Sequence, residues 1–398
     1  MTLLREETPP IGASTLDAEA LIKEARRLRR RRWLIGIAAV LLVVLAGAVV
    51  YVVSHSKPTK PSVTTATSQP SRKGAQVAGA IVTPKQPASL AVGPTRDLYV
   101  IDVGRDQILE RLNDGSFRVI AGTGRTGFSG DGGPAIDANL RLAGNAGLVV
   151  ARNGTVYFSD SGNDRVRAVL QGGDIETVAG GGQHALPASP GERVPARSAS
   201  LGGTAGLAFG PNGELYIAAS FIVRLSSTGQ LAWVAGGTSG GGPICDATGC
   251  PVLEQNLRSA DGLAFDGDGD LVVSSDDLPG AGFALAEVRA NGRPIYIGGM
   301  RGEGGRPAAL APGPRGSVLC AAQIGLYRIA NGSESPTSID GGGALDAAIG
   351  SRPFFGGDGV TAGATGEIYV DTSPLANPTP YAIAELLPSG EVRMLWKS

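Results

Sequence analysis

The sequence predicts an all-β, six-bladed β-propeller with four-stranded blades, preceded by one transmembrane helix. Three observations predict it. The stretch Leu207-Ala-Phe-Gly-Pro-Asn-Gly-Glu-Leu-Tyr-Ile217 places two short apolar runs on either side of a Pro-Asn-Gly turn, and those turn residues fix the required dihedrals at little conformational cost. The same hairpin returns at Leu90, Leu148, Leu263, Leu310 and Val360, so that with Leu207 the repeats are spaced by 58, 59, 56, 47 and 50 residues. Strand-turn-strand units recurring at roughly 40–60 residues are the periodicity of a propeller. Finally, residues 33–53 carry no charge, and at about 1.5 Å per residue such a run spans a hydrocarbon core of about 30 Å.

Composition narrows the function. Glycine contributes 61 of 398 residues without a triplet period, which excludes collagen and assigns glycine to turns. A net charge of −1 gives no general attraction to nucleic acid, and no nucleic-acid partner is expected. Aromatic residues are only 5% of the chain, a poor fit to a surface that stacks bases or sugars. Two histidines, His55 and His184, cannot build a multi-histidine metal centre.

In chain order, residues 1–32 are polar and end in Arg26, Arg27 and Arg29 to Arg32. This basic block is expected to be the topogenic charge cluster of the following span. Trp33 and Tyr51 sit near the two ends of 33–53, where amphipathic rings prefer the interface. The charge bias puts the N-terminus in the cytoplasm and the long C-terminal part outside, in the cell membrane as a single-pass protein. Ala46-Gly-Ala48 resembles a signal-peptidase site, but the apolar run continues past it, so a retained anchor is expected and a cleaved signal is the alternative. Residues 54–84, rich in Ser, Thr, Pro and Lys, read as a flexible linker that holds the domain off the membrane.

Residues 85–398 hold the repeats. Each has four strand-like runs; in the first they are 88–92, 98–102, 107–112 and 117–121. The turn before the fourth run recurs as Asn113-Asp-Gly115, Gln171-Gly-Gly173, Ser227-Thr-Gly229, Ala290-Asn-Gly292, Ala330-Asn-Gly332 and Pro388-Ser-Gly390. The fourth runs match as Val119-Ile-Ala-Gly122, Thr177-Val-Ala-Gly180, Trp233-Val-Ala-Gly236 and Tyr296-Ile-Gly-Gly299. The last repeat keeps its own fourth run at 391–396, so strand exchange between the chain ends is not evident. Residues 76–82 are a candidate outer strand for the last blade.

Asp102-Val-Gly-Arg-Asp-Gln-Ile-Leu109 and Asp160-Ser-Gly-Asn-Asp-Arg-Val-Arg-Ala168 resemble the core of the NHL repeat. Val119-Ile-Ala-Gly-Thr-Gly-Arg-Thr-Gly-Phe-Ser-Gly-Asp-Gly-Gly-Pro-Ala135 is similar to the inter-blade loops of bacterial NHL proteins. The resemblance covers 85–398, is strong in the first two repeats and weak in the last two. It implies a six-bladed propeller used as a binding or sensing scaffold. It also includes sensor domains of membrane kinases, but no kinase fits in 1–32.

In a propeller the short glycine turns share one face. The long connections 123–139, 181–198, 237–255, 275–282, 341–358 and 372–381 fall on the other, where binding residues are expected. Arg125, Phe128, Asp131 and Asp358 are the candidate ligand contacts there, with core packing the competing reading for Phe128. Asp102, Asp160 and Asp371 end the second strands of their blades. They are candidate oxygen ligands for a divalent cation at the channel mouth, or else acceptors for their own following turns. Asp266-Gly-Asp-Gly-Asp270 looks like a calcium loop, but an EF-hand needs Gly and Glu where Leu271 and Asp277 stand. A hairpin turn is expected there, and Ca²⁺ remains the one cofactor considered. Ser129-Gly-Asp-Gly-Gly-Pro134 lacks the Lys-Ser/Thr of a phosphate loop.

Cys245 and Cys250 are expected to close a small loop as a disulfide outside the cytoplasm, and Cys320 to be a buried strand residue. The function expected is a membrane-anchored extracytoplasmic scaffold, held through 33–53, that binds a protein, polymer or small ligand. The alternative is a lactonase-like hydrolase or lyase with a carboxylate-bound cation.

Overall fold

The Pro-Asn-Gly hairpin forms as its residues dictate. In the computed structural model Gly213 N donates to Gly210 O at 2.8 Å, Gly210 N to Glu214 O at 3.0 Å, and the Asn212 side chain accepts from Glu214 N at 3.1 Å. The structure describes residues 79–144, 146–188, 191–204, 206–235, 260–275, 284–288, 294–297, 309–322, 325–333, 335–339, 345, 348, 359–372 and 381–398. The span 33–53, most of the linker, the Cys245/Cys250 loop and Asp358 lie outside the described residues. Among the described residues no helix is long and apolar enough to cross a membrane.

The strands form antiparallel sheets, each assembled from neighbouring segments of the chain. The first contains β1 (Ile81–Val82), β2 (Pro87–Val92), β3 (Leu98–Asp102), β4 (Gln107–Arg111) and β5 (Phe117–Ala121). The second contains β6 (Leu148–Val150), β7 (Val156–Asp160), β8 (Arg165–Val169) and β9 (Ile175–Gly180). The third has β10 (Arg193–Pro195), β11 (Leu207–Phe209), β12 (Leu215–Ala218), β13 (Ile222–Leu225) and β14 (Gln230–Ala235). The fourth has β15 (Ala260–Phe265), β16 (Leu271–Ser275), β17 (Ala284–Val288) and β18 (Pro294–Ile297). β19 (Ala309–Pro312), β20 (Val318–Ala322), β21 (Gly325–Ile329) and β22 (Thr337–Ser338) make the fifth, and β23 (Val360–Ala362), β24 (Ile368–Thr372), β25 (Ala382–Leu386) and β26 (Val392–Lys397) the sixth.

The innermost strands β2, β6, β11, β15, β19 and β23 surround one cavity, which makes the arrangement a propeller. Every sheet is packed on both faces, so its strands carry apolar residues on both sides. Ile101 and Ile108 of the first sheet pack with Leu148, Phe158 and Ile175 of the second. Val100 and Leu109, on the opposite face of the same strands, pack with Ile383 and Trp396 of the sixth. The other seams repeat the scheme: Val166 with Leu207, Ala208 with Leu263, Ala264 with Val318, and Leu319 with Val360. Each fully buried Leu, Ile or Phe contributes roughly 1.5–3 kcal/mol through removal from water.

Two short strands depart from the sequence expectation. Ile81–Val82, expected as linker or as an outer strand of the last blade, instead pairs antiparallel with β5 of the first sheet. β10, expected as part of a free loop, pairs with β14 of the third. The reason is common to both. The chain leading into a sheet first runs along that sheet's outer strand and covers its unpaired edge.

Candidate functional site

The cavity at the centre has a volume of about 550 Å³. Its walls come from the recurring Leu-Ala-Phe type of inner strand: Leu90-Ala-Val92, Leu148-Val-Val150, Leu207-Ala-Phe209 and their equivalents. Each inner strand stands at one end of its sheet, so one row of its backbone N–H and C=O groups is left unpaired within the sheet. The cavity therefore combines apolar side chains with backbone donors and acceptors. Small residues precede each inner run: Ser89, Gly147, Gly206, Gly262 and Ala309 all line the cavity. A Cβ on Gly206 would sit 2.7 Å from Asp261 O and 3.2 Å from Gly262 Cα, so only glycine lets neighbouring strands approach this closely. Among the described residues of the lining, Asp261 is the only ionisable side chain.

The loop face is built differently from the expectation of open binding loops. After β5 the connector turns outward and is fastened along β9. Gly132 N donates to Ile175 O at 2.8 Å, Ile175 N to Gly133 O at 2.9 Å, and Ala135 N to Gly173 O at 2.8 Å. Asp131, a sequence candidate for ligand contact, accepts from Arg167 Nη2 at 2.7 Å. Arg167 is fully buried and also donates to Ser129 O and Asn139 O, at 2.8 and 3.2 Å. Phe128 remains 43% exposed. The guanidinium carbons of Arg165 and Arg167 lie 3.8 and 5.0 Å from its ring centroid, a cation–π arrangement. Arg125, three residues earlier in the chain, is exposed. Phe128 and Asp131 are thus brought together, around Arg165 and Arg167, which the sequence reading did not single out. An arginine inside an apolar strand reads as a solvent-facing residue until the connector that covers it is placed.

Asp102 and Asp160 do not form a shared cation site. Asp102 accepts from Lys85 N, Gln86 N and Gly104 N at 2.8, 2.9 and 3.1 Å. Asp160 accepts from Arg141 N at 2.7 Å and Asn163 Nδ2 at 2.8 Å, with Arg167 Nη1 at 3.5 Å. Each therefore ties the chain entering its own inner strand as well as the following turn. Burial pushes the Asp160 carboxyl above its ordinary value, outweighing the hydrogen bonds and Arg167 that favour the anion. Asp371 is likewise buried, with its amide on Gly359 O at 3.2 Å. Asp106 and Asp164, both at positive φ, play a further role. Asp106 accepts from Leu142 N and Thr126 Oγ1, and Asp164 from Leu201 N and Gly203 N, so each latches its sheet to the next connector.

Asp266, in the calcium-loop-like stretch, makes a hairpin turn: its Oδ1 accepts from Asp268 N and Asp270 N at 3.0 and 2.8 Å. Asp266, Asp270 and Glu287 nevertheless each bring a ligand oxygen within 4.8 Å of the others, a set of hard donors that Ca²⁺ could use. Glu287 was not legible as part of this group, since it comes from β17 across the sheet. His184 is exposed on the connector into the third sheet, its backbone paired with Ser198 and Ser200. Cys320 is fully buried, and burial pushes its thiol strongly upward, leaving it inert as a nucleophile.

No family model matches the chain. Solved structures that this chain is similar to include a virginiamycin B lyase from Staphylococcus aureus, at 13% identity and a TM-score of 0.47, covering 79% of this chain and 87% of that one. A gluconolactonase from Xanthomonas campestris matches at 14% identity and a TM-score of 0.48, covering 73% and 84%. A PQQ-bound aldose sugar dehydrogenase from Streptomyces coelicolor matches at 18% identity and 0.45, covering 77% and 96%. At these distances the likeness transfers neither a site nor an activity.

Proposed function

We propose that this chain is a membrane-anchored, extracytoplasmic propeller of the NHL type that binds a small, largely uncharged ligand in its central cavity and acts as a sensing or recruiting scaffold. One observation carries the reading. The cavity offers backbone hydrogen-bonding groups and apolar walls, with Asp261 as the only ionisable side chain among the described lining residues. A mostly apolar pocket with a few polar groups suits binding of a small ligand. The anchor follows from the uncharged run 33–53 and the arginines before it.

The test is a thermal-shift screen of the full chain in lipid nanodiscs against uncharged small molecules, repeated with Thr361→Trp. Thr361 lines the cavity and is half-buried, so the larger ring is expected to fill the space. A ligand at a hundred times its Kd stabilises by about 2.7 kcal/mol, a shift of several degrees that Thr361→Trp is expected to abolish. Hits that persist in the variant, or no hits at all, overturn the cavity reading. The alternative, a hydrolase or lyase with a bound cation, is favoured by the juxtaposition of Asp266, Asp270 and Glu287. It requires Ca²⁺-dependent melting that Glu287→Gln removes.

A further inference from the structure

Neighbouring inner strands run in the same direction around the central cavity. A Cβ on Gly206, just before β11, would lie 3.1 Å from Leu263 N in β15, and one on Gly359, just before β23, would lie 3.0 Å from Leu90 N in β2. At the other end, a Cβ on Gly93, just after β2, would lie 3.6 Å from Val150 Cγ1 at the end of β6. Gly267 N, after β15, donates to Gly316 O, after β19, at 2.8 Å. Strand starts meet starts and ends meet ends, so the two ends of the cavity are chemically distinct. Val92, Val150 and Phe209, at the ends of their strands, line the end next to the hairpin turns with apolar side chains. Ser89 and Asp261, at the starts, line the end next to the long connections.

The fourth sheet brings a charge to this second end. Ala260 pairs with Ser275 and Gly262 with Ser274, so Asp261 is the inserted residue of a β-bulge, a feature that bends the strand and re-aims a side chain. The first sheet has the same bulge, with Ala88 inserted between the pairs Pro87–Asp102 and Ser89–Ile101. Ala88 is 1% exposed, whereas Asp261 keeps partial exposure and lines the cavity. The residue behind the bulge changes too. Where the first sheet has Ile101, the fourth has the fully buried Ser274, whose Oγ accepts from Gly262 N at 2.8 Å. That bond fixes the backbone next to Asp261. With about four lone-pair sites, a carboxylate can accept from a ligand as well as from its own sheet. The described lining residues include no Lys, Arg or His, so the charge of the lining is that of Asp261.

We propose that the cavity selects a ligand carrying one ammonium group on an otherwise apolar body, with the ammonium against Asp261 and the body directed toward Val92, Val150 and Phe209. The proposal rests on reading the cavity as the binding site. An ammonium has three donors and no acceptor. It therefore suits a carboxylate flanked by strand-edge carbonyls, where an anionic head group would meet like charge in a largely apolar space. The apolar end has no charged side chain to receive a second head group, which fixes the orientation. A volume of about 550 Å³ is in the range of small-molecule sites, in which a few placed polar groups orient the ligand and apolar walls hold it.

The experiment uses three probes that share a body and differ in the head group: 2-phenylethylamine, 2-phenylethanol and 3-phenylpropanoate. Their Kd values are measured by titration calorimetry on the full chain in lipid nanodiscs, with empty nanodiscs as the blank. The amine is expected to bind about tenfold tighter than the alcohol, the usual worth of a hydrogen bond to a charged group, and the carboxylate more weakly than either. Asp261→Asn is expected to remove the difference between amine and alcohol, and Thr361→Trp to abolish the binding of both. Melting of each variant without probe separates lost binding from lost folding, and the comparison of the three probes on the parent chain needs no variant. Equal binding of amine and alcohol, abolished by Thr361→Trp, overturns the ammonium preference and leaves the cavity reading standing. A preference for the amine that survives in Asp261→Asn overturns the assignment to Asp261. No binding of any probe, or binding unchanged in Thr361→Trp, overturns both the proposal and the cavity reading.

Discussion

Arg167 ties its own sheet to the connector 129–139, whose residues lie 28 to 38 positions earlier in the chain. Its guanidinium bonds Ser129 O, Asn139 O and Asp131, and it lies beside the buried Asp160. Removing one member of a buried pair leaves the other charge uncompensated, typically at about 3–5 kcal/mol. Arg167→Met is therefore expected to lower stability by about that amount in urea denaturation. Asp131→Asn should cost less than about 1 kcal/mol, because Asp131 is 36% exposed and screened by solvent. Asp160 adds a pH signature. Its carboxyl titrates above the ordinary value in the native state, so across that window the native state binds more protons than the unfolded one. Stability is then expected to fall as pH rises from the ordinary carboxylate range through the raised native value. Asp160→Asn should remove that part of the slope, and urea midpoints over pH 4–7 (roughly the usual carboxylate window and above) would show whether it does.

At the level of the element, the Ala-Gly that closes the fourth run has a specific cause. Gly122 and Gly180 have φ of +98° and +88°, and a Cβ there would lie 2.4 Å from Asp106 O and 2.2 Å from Asp164 O. The strand must turn sharply onto the preceding loop, and only glycine has both the dihedral freedom and the space. Gly180→Ala is expected to cost about 3 kcal/mol, from the left-handed backbone and the overlap together. Gly229→Ala, also at positive φ but with nothing within 4 Å, should cost about 1 kcal/mol. Melting of the two variants side by side measures the difference. This glycine, the hairpin turns and the inner runs were legible because each is local: a few adjacent residues determine the conformation. β1 and β10 were not, since strands of two and three residues carry no alternation and exist only because an outer edge is there to be covered. The sequence reading placed binding on the long loops; the cavity was not legible, because its lining comes from inner strands that lie far apart in the chain. Asp131 and Phe128 were found from a glycine-rich connector, but Arg167 and Glu287 depend on contacts across 36 residues of chain or across a sheet.

The described residues from 79 onward form a ring of two-sided sheets, each seam filled by side chains from both neighbours. The seam between the last and first sheets is no exception. Val100, Leu109 and Phe117 meet Ile383 there, with Tyr369 and Trp396 packed at its edge. Among the described residues no strand crosses it. Gly359 sits at this seam, where a Cβ would be 2.9 Å from Ser89 Cα and 2.8 Å from Asp371 Oδ2. Gly359→Ala is expected to cost about 1–3 kcal/mol by forcing the seam apart. Hydrogen exchange should then quicken first in β2 and β24, ahead of β12 and β13. Uniform acceleration across all sheets would show instead that the ring loosens as one unit.

Among the described residues the ring is closed by packing alone, which leaves no privileged starting blade. Among the described residues each sheet is woven from its own consecutive strands, and in the first three the segment leading into the sheet pairs along its outer strand. Cutting the chain within any connector and joining Ser398 through a linker to Gly79 would leave every sheet with the strands it has now. The order in which the blades are translated is thus separable from the object they build, and a gain or loss of one whole repeat changes the circumference of the ring without breaking any sheet.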